Sequence, residues 1–395
     1  MTPTREQQKV IMACNLDKDL GQAINDCGAD RLFILTDETT QRLCWPVVQH
    51  YDCLKEARAI TIPAGDTNKG LKAVCHVWDE LQSQGATRHS LMVNLGGGMV
   101  TDLGGFAAST FKRGVHFINI PTTLLSMVDA SVGGKTGINY GGLKNEIGVF
   151  NNAEAVLLTT TFLHTLDQEN ILSGYAEMLK HGLISNHAHW ADLIRFDPQN
   201  PQNPQNPQHP QNPQNPQNPQ HPQNPQNPQG MQSLQTLLAY SVAVKQRIVS
   251  EDPTEKGIRK ALNLGHTIGH AFEALSLSQR TSPADCPPKG PHAPILHGYA
   301  VAYGLVCELY LSVVKTGFPQ DKMRQTVNFI HEHYGRMPIT CDDYPTLLEL
   351  MTHDKKNTAG NINFTLLSDI GDIRINQTAT KEEIAEALDF YREGL

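Results

Sequence analysis

Four short apolar runs in the first third of the chain each break at a glycine, a proline or an aspartate, with stretches of helical spacing between them. Residues 31–36 end at Asp37, 57–62 run into Pro63-Ala64-Gly65, 90–95 into Gly96-Gly97-Gly98, and 115–120 into Pro121-Thr122-Thr123. Near-continuous apolar runs of this length suit strands covered on both faces, and strands separated by helices such as 71–84 pair in parallel through crossovers. The expected fold class is therefore α/β, with a parallel sheet flanked by helices. From about Phe162 strand-like runs become rare and helical periodicity takes over, at 168–185, 231–250, 267–275 and 298–316. A chain of 395 residues also exceeds one ordinary core. Two domains are expected, an α/β domain over 1–165 and a mostly α-helical one over 166–395.

One segment can join neither core. From Pro198 to Pro228 a proline recurs at every third position in a Pro-Gln-Asn repeat, with His209 and His221 replacing asparagine. Repeated proline removes backbone donors and blocks both helix and ladder. The 198–229 segment is expected to be a disordered or polyproline-II-like insertion between two helices. Residues 277–294, with five prolines and Cys286, suggest a second flexible loop.

Formal net charge is −8, which gives no general attraction to nucleic acid or anionic lipid, so an anionic substrate needs a local basic pocket. Eight cysteines (Cys14, Cys27, Cys44, Cys53, Cys75, Cys286, Cys307 and Cys341) are scattered without a CxxC pair, as expected of reduced thiols. No signal-peptide pattern opens the sequence and no run of about 18 uninterrupted apolar residues occurs. A cytoplasmic protein without a membrane span is expected.

The stretch 95–106 runs from a strand through three glycines into a helix, where backbone N–H groups and the helix N-terminus favour an anion such as a phosphate. It is not a GxGxxG fingerprint, and a plain tight turn would use the same glycines. Asp102 lies one turn into that helix, placed to meet a ligand or to cap. Gly133-Gly134-Lys135-Thr136 looks like part of a phosphate loop, but Asp129 stands where the full spacing requires glycine, which excludes ATP hydrolysis on that motif. What remains is a polar, glycine-rich loop carrying Asp129, Lys135, Lys144 and Asn145.

Glu177 and Lys180 share one helical face; a surface ion pair is the plainest reading. His266 and His270, at i and i+4, can turn their imidazoles the same way, as metal pairs on helices do; satisfied core histidines are the alternative. His297 opens another helix. One carboxylate, two imidazoles and an open position make a catalytic zinc site. Lys245, Arg247 and Arg259 add positive charge nearby in sequence.

Taken in order, Gly96 to Gly105, Asp129 to Thr136, Leu143-Lys144-Asn145, Glu177 to Lys180, Arg259 to His270, His297-Gly298 and His353-Asp354-Lys355-Lys356 resemble the motifs of the 3-dehydroquinate synthase family. The resemblance covers nearly the whole chain apart from 197–230 and parts of 277–294. It implies a Rossmann-like N-terminal domain, a helical C-terminal domain, usually a homodimer, and conversion of 3-deoxy-D-arabino-heptulosonate 7-phosphate to 3-dehydroquinate and phosphate, with NAD regenerated in each turnover. It implies that Glu177, His266 and His297 ligate Zn2+ (or Co2+), and that His270 faces the substrate. It further implies substrate contacts from Lys135, Asn145, Lys180, Lys245, Arg259, Asn263, Arg113 (toward a partner subunit's substrate) and one of Lys355 and Lys356, with Lys356 preferred. NAD contacts would come from Asp37, Gly97, Gly98, Asp102, Thr122, Thr123, Asp129, Lys144 and Thr161.

Ala130 and Ile138 depart from the family pattern but carry no proposed chemistry. The nearest alternatives are another sugar phosphate cyclase and a metal-dependent polyol dehydrogenase of the glycerol dehydrogenase type; Arg259, Asn263 and His270 favour the acid substrate. A non-catalytic dinucleotide-binding protein is disfavoured by the intact metal and lysine motifs. Long surface loops cost little to close, so deleting residues 199–229 is expected to leave activity and melting temperature unchanged. A clear fall in either would show that the repeat matters.

Overall fold

The first strand, β1 (Lys9–Met12), lies at one edge of a sheet that the chain enters before the four apolar runs are reached. A computed structural model describes residues 8–141, 143–199, 234–278, 294–352 and 362–394. The repeat beyond Gln199, the 277–294 loop from 279 to 293, and Lys355 and Lys356 lie outside the described residues. The chain divides into two units, Met1–Gly174 with Lys245–Ser250, and Tyr175–Val244 with Glu251–Leu395.

In the first unit β1 is followed by α1 (Leu16–Cys27), β2 (Leu32–Asp37), α2 (Glu38–Leu43), α3 (Trp45–Val48), β3 (Arg58–Ile62), α4 (Leu71–Ser83), β4 (Leu91–Gly96), α5 (Gly98–Thr110) and β5 (His116–Pro121). Then come β6 (Lys135–Tyr140), β7 (Leu143–Phe150) and β8 (Ala155–Leu158). The six-stranded sheet has the order β1-β8-β5-β4-β2-β3, and all its pairings are parallel. The four expected strands are present, displaced by at most one residue. All six residues of β4 are buried, as a central strand covered on both faces requires.

Several elements of this unit were not expected. β1 and β8 are only four residues each, too short to show a period. The 129–145 stretch is not a loop: a π-helical turn over Ser126–Ala130 leads into an antiparallel hairpin of β6 and β7. β7 is exposed at nearly every position, so it carries no alternation that would announce a strand.

α5 lies close upon the sheet because it presents glycine. A Cβ on Gly104 would fall 2.2 Å from Asn94 Oδ1 and 2.8 Å from Leu35 Cδ2. Asn94 is fully buried and its Nδ2 donates to Asn119 Oδ1 at 2.9 Å, linking β4 to β5 within the core.

The second unit contains α6 (Gln168–Leu183), within which the division falls, then α7 (His187–Arg195), α8 (Leu234–Glu251) apart from its Lys245–Ser250 stretch, α9 (His266–Ser278), α10 (His297–Thr316), α11 (Gln320–Tyr334) and α12 (Tyr344–Thr352). A hairpin of β9 (Asn363–Asp369) and β10 (Asp372–Thr378) and the last helix, α13 (Lys381–Glu393), complete it. α10 is apolar nearly all round because α9, α11, α13 and β9 surround it. Among the described residues it is long and apolar enough to cross a membrane, yet 72% of that stretch is buried, as in a core helix. The β9–β10 hairpin interrupts a region where the sequence suggested helices almost throughout.

The close approach of α5 is open to test. Gly104→Ala pushes a methyl group into Asn94 and is expected to cost about 1–3 kcal/mol, read as a lower urea midpoint with an unchanged slope. An unchanged midpoint would show that the contact relaxes freely.

Candidate functional site

Two groups of side chains emerge, one in each unit. In the first unit the order in which strands are added reverses at β2: the chain steps outward to β3 and then crosses back to β4 on the other side of β2. In open α/β sheets the crevice outside the carboxyl ends of the strands at such a reversal is where ligands bind. Asp37 ends β2, Gly96 ends β4 and Pro121 ends β5, with Gly96 in register with Pro121. Gly97 is the N-cap of α5 and offers no side-chain cap, so the helix begins with bare backbone donors. A Cβ there would lie 3.0 Å from Thr123 Cγ2, and one on Gly98 3.2 Å from Ala130 Cβ. The buried Thr122 ties this edge by donating its amide to Gly96 O at 3.0 Å, and Thr123 Oγ1 accepts from the Ser126 amide at 3.1 Å. Asp37 also caps α2, accepting from the Thr40 amide at 2.7 Å.

Asp102 does not cap. Its Oδ2 accepts from Lys69 Nζ at 2.5 Å, and the same ammonium donates to Asn145 Oδ1 at 2.6 Å. Burial raises the Asp102 carboxyl, with Lys69 opposing. Lys69 is buried and was not singled out from the sequence; its only signal was a place in the turn after β3. Asn145 adopts φ +50°, which turns it out of the β7 ladder. Lys245, in the stretch of α8 that belongs to the first unit, donates to Asp129 Oδ1 at 2.5 Å. Lys144 lies 3.6 Å from Asp66 at the surface. Lys135 is exposed at the start of β6, Thr161 is exposed with its hydroxyl 2.7 Å from that of Thr159, and Arg113 is exposed at φ +70°.

In the second unit α6, α9 and α10 bring together Glu177, His266, His270 and His297. Glu177 Oε1 is 3.3 Å from His266 Nε2 and 3.5 Å from His297 Nε2. The ring centroid of His270 is 5.3 Å from that of His266 and 5.8 Å from that of His297, and the three imidazoles offer ligand atoms within 4.8 Å of one another. Ligand atoms bound tetrahedrally to zinc at about 2.0–2.1 Å lie about 3.4 Å apart. The two Glu177–imidazole distances match that edge, so the residues present fit a divalent cation. The other ring nitrogens are held: His266 Nδ1 lies 3.1 Å from Leu264 O, and His297 Nδ1 3.2 Å from Glu273 Oε2. Such outer partners fix the ring and aim Nε2 at a metal. Glu273 and Leu264, which hold these two rings, were not singled out from the sequence.

The Glu177–Lys180 pair is not at the surface. Glu177 is 0% exposed, Lys180 is 1% exposed, and the ammonium touches Glu177 Oε2. Burial alone would raise the Glu177 carboxyl, but Lys180 and His266 hold it well below the usual carboxylate range. For His297 burial favours the neutral ring, and the hydrogen bonds to Glu177 and Glu273 outweigh it, pushing the pKa up to about 10. A site that attracts a proton this strongly attracts a cation by the same charges. Arg259 is buried and its Nη1 donates to Pro253 O at 2.7 Å, while Asn263 Nδ2 donates to Glu255 Oε1 at 3.0 Å. Lys356 lies outside the described residues.

Residues 59–173 match the family model described as 3-dehydroquinate synthase N-terminal, and 174–357 match the one described as 3-dehydroquinate synthase C-terminal. A 3-dehydroquinate synthase of Parabacteroides distasonis is 49% identical over 388 residues, covering 98% of this chain and 99% of that protein. One from Pyrococcus furiosus is 35% identical, over 89% of this chain and 90% of its own. Among solved structures, a 2-epi-5-epi-valiolone synthase from Streptomyces hygroscopicus with NAD+ and Zn2+ bound has a TM-score of 0.75 at 23% identity, covering 98% of this chain and 97% of its own. A 2-deoxy-scyllo-inosose synthase complexed with carbaglucose-6-phosphate, NAD+ and Co2+ has a TM-score of 0.73 at 21% identity, covering 98% and 96%. At those identities the two structures establish the shared fold.

A zinc ion held by Glu177, His266 and His297 would have to displace the proton from His297. Zinc uptake by metal-free protein at pH 8 is expected to release at least one proton, and affinity to rise roughly tenfold per pH unit below the His297 pKa. Calorimetric titration in buffers of differing ionisation enthalpy measures the release; zinc binding without proton release would contradict this placement.

Proposed function

Because the chain belongs to the 3-dehydroquinate synthase family, we propose specific roles for its residues in that family's reaction. The reaction is a phosphate-eliminating cyclisation, converting 3-deoxy-D-arabino-heptulosonate 7-phosphate to 3-dehydroquinate and phosphate, and the chain is a carbon–oxygen lyase.

Glu177, His266 and His297 would hold one divalent metal, Zn2+ or Co2+; the observation that carries this is the pair of distances from Glu177 Oε1 to the two imidazoles, 3.3 and 3.5 Å. Asp37, Gly97, Gly98, Asp102, Thr122, Thr123, Asp129, Lys144 and Thr161 would contact NAD. This is supported by the carboxyl-end position of Asp37, the glycines and the threonines, and a carboxylate at the end of β2 suits ribose hydroxyls. When bound, the metal supplies a Lewis acid that acidifies the C5 hydroxyl, and NAD supplies a hydride acceptor restored within the turnover.

The remaining residues bind and orient. Arg259 presents a planar fork suited to a carboxylate. The family resemblance assigns contacts with the rest of a doubly anionic substrate to Lys135, Asn145 and Lys245 of the first unit and to Lys180, Asn263 and Lys356 of the second. Lys180 and Lys245 each face a carboxylate, which fixes the ammonium in place before substrate arrives. His270 sits beside the two ligand imidazoles and would serve the proton transfer near the substrate phosphate. Fixing the flexible sugar acid in one conformation supplies much of the rate by proximity.

A homodimer is part of this reading, with Arg113 reaching the partner's substrate. It is supported by a partly exposed apolar group on the β6–β7 hairpin, Tyr140, Leu143, Ile147 and Phe150. No nucleic acid or membrane partner is proposed, in keeping with the net charge of −8. A cytoplasmic location fits the free thiols of all seven described cysteines.

Purified protein supplied with NAD and Zn2+ is expected to release inorganic phosphate from the heptulosonate phosphate without net accumulation of NADH. Steady NADH production from a polyol with no phosphate release would point instead to a dehydrogenase.

A further inference from the structure

α9 begins abruptly. Leu264 is extended, Gly265 turns at φ +79°, and the helix starts at His266. Three amides around this start share one acceptor. Gly265 N donates to Glu308 Oε2 at 2.6 Å, and Thr267 N and Ile268 N donate to Glu308 Oε1 at 3.0 and 3.1 Å. Glu308 is 0% exposed and comes from α10, the helix whose first residue is His297.

The two helices also meet backbone to backbone. A Cβ on Gly304 would lie 2.0 Å from Gly265 O, and one on Gly269 2.7 Å from Ala300 O. A slide or rotation of α9 against α10 would break the carboxylate contacts or drive the backbones together. Both constraints act on the segment that carries His266 and His270.

We propose that Glu308 is a positioning residue for the metal centre: by gripping the amides on either side of His266 it sets the start of α9 against α10, and so the distance of His266 and His270 from His297. This rests on the reading of Glu177, His266 and His297 as a metal site. An ordinary helix cap is a local side chain that accepts from one or two amides. Here the acceptor arrives from another helix, 40 to 43 residues away in sequence. The helix dipole and three N–H groups compensate the buried charge, and its carbon chain ties together the two helices that present the imidazoles.

Glu308→Gln preserves shape but replaces one oxygen by an NH2 that must face an N–H donor. The expected result is zinc affinity weakened about tenfold to a hundredfold in chelator competition, with NAD affinity unchanged. Glu308→Asp, which keeps both oxygens, should recover part of the loss. Wild-type zinc affinity in Glu308→Gln alongside a lowered melting temperature would overturn the proposal and leave Glu308 as a structural cap. Wild-type protein that binds no zinc at all would instead refute the metal site itself. Should Glu308→Gln fail to fold, hydrogen exchange on zinc-free wild-type protein decides. The amides of Gly265, Thr267 and Ile268 are expected to be protected as strongly as the α10 core. Free exchange until zinc is added would show that the metal, not Glu308, orders the segment.

Discussion

A carboxylate with no exposure has to be neutralised where it stands, and Glu177 is such a group. Removing it from water costs several kcal/mol unless opposite charge and hydrogen bonds replace the solvent. One oxygen is met by Lys180, a helical turn away, and the other faces His266 and His297 from two further helices. That single requirement draws α6, α9 and α10 to one point. It also makes the site electrically unfinished. Without metal, hydrogen bonds to two carboxylates push the His297 pKa up to about 10, and the proposed divalent cation would take the place of that proton.

The first unit meets a different demand by different means. In the proposed reading an anionic dinucleotide would be held without a large net positive charge, through backbone donors at the start of α5, close-packed glycines and internally compensated lysines. Lys69 joins Asp102 to Asn145, and Lys245 grips Asp129. The cations are thereby fixed in position while the surface as a whole stays acidic. Specificity for an anionic substrate then rests on geometry and not on bulk charge.

Much of this was legible in the residues. β2 to β5 were visible because central parallel strands are apolar throughout, and the i, i+4 spacing of His266 and His270 announced a shared helical face. The residues behind them were not. Glu273 and Glu308 act across 24 and about 40 residues of sequence, and no local period reports a partner at that distance. β1 and β8 are too short for a pattern, and the exposed β7 has no burial alternation to display. Glu177–Lys180 looked like a surface pair because spacing gives the face of a helix and not the depth of what covers it. The choice between His270 and His297 as third ligand came from the family resemblance, since spacing alone pairs His270 with His266.

That choice is the centre of the account. Diffraction from crystals grown with Zn2+, recorded on both sides of the zinc absorption edge, locates the metal and its bonded atoms directly. The account predicts one zinc bound by a Glu177 oxygen and by Nε2 of His266 and His297, with His270 outside bonding distance. Zinc bonded to His270 and not to His297 would contradict it.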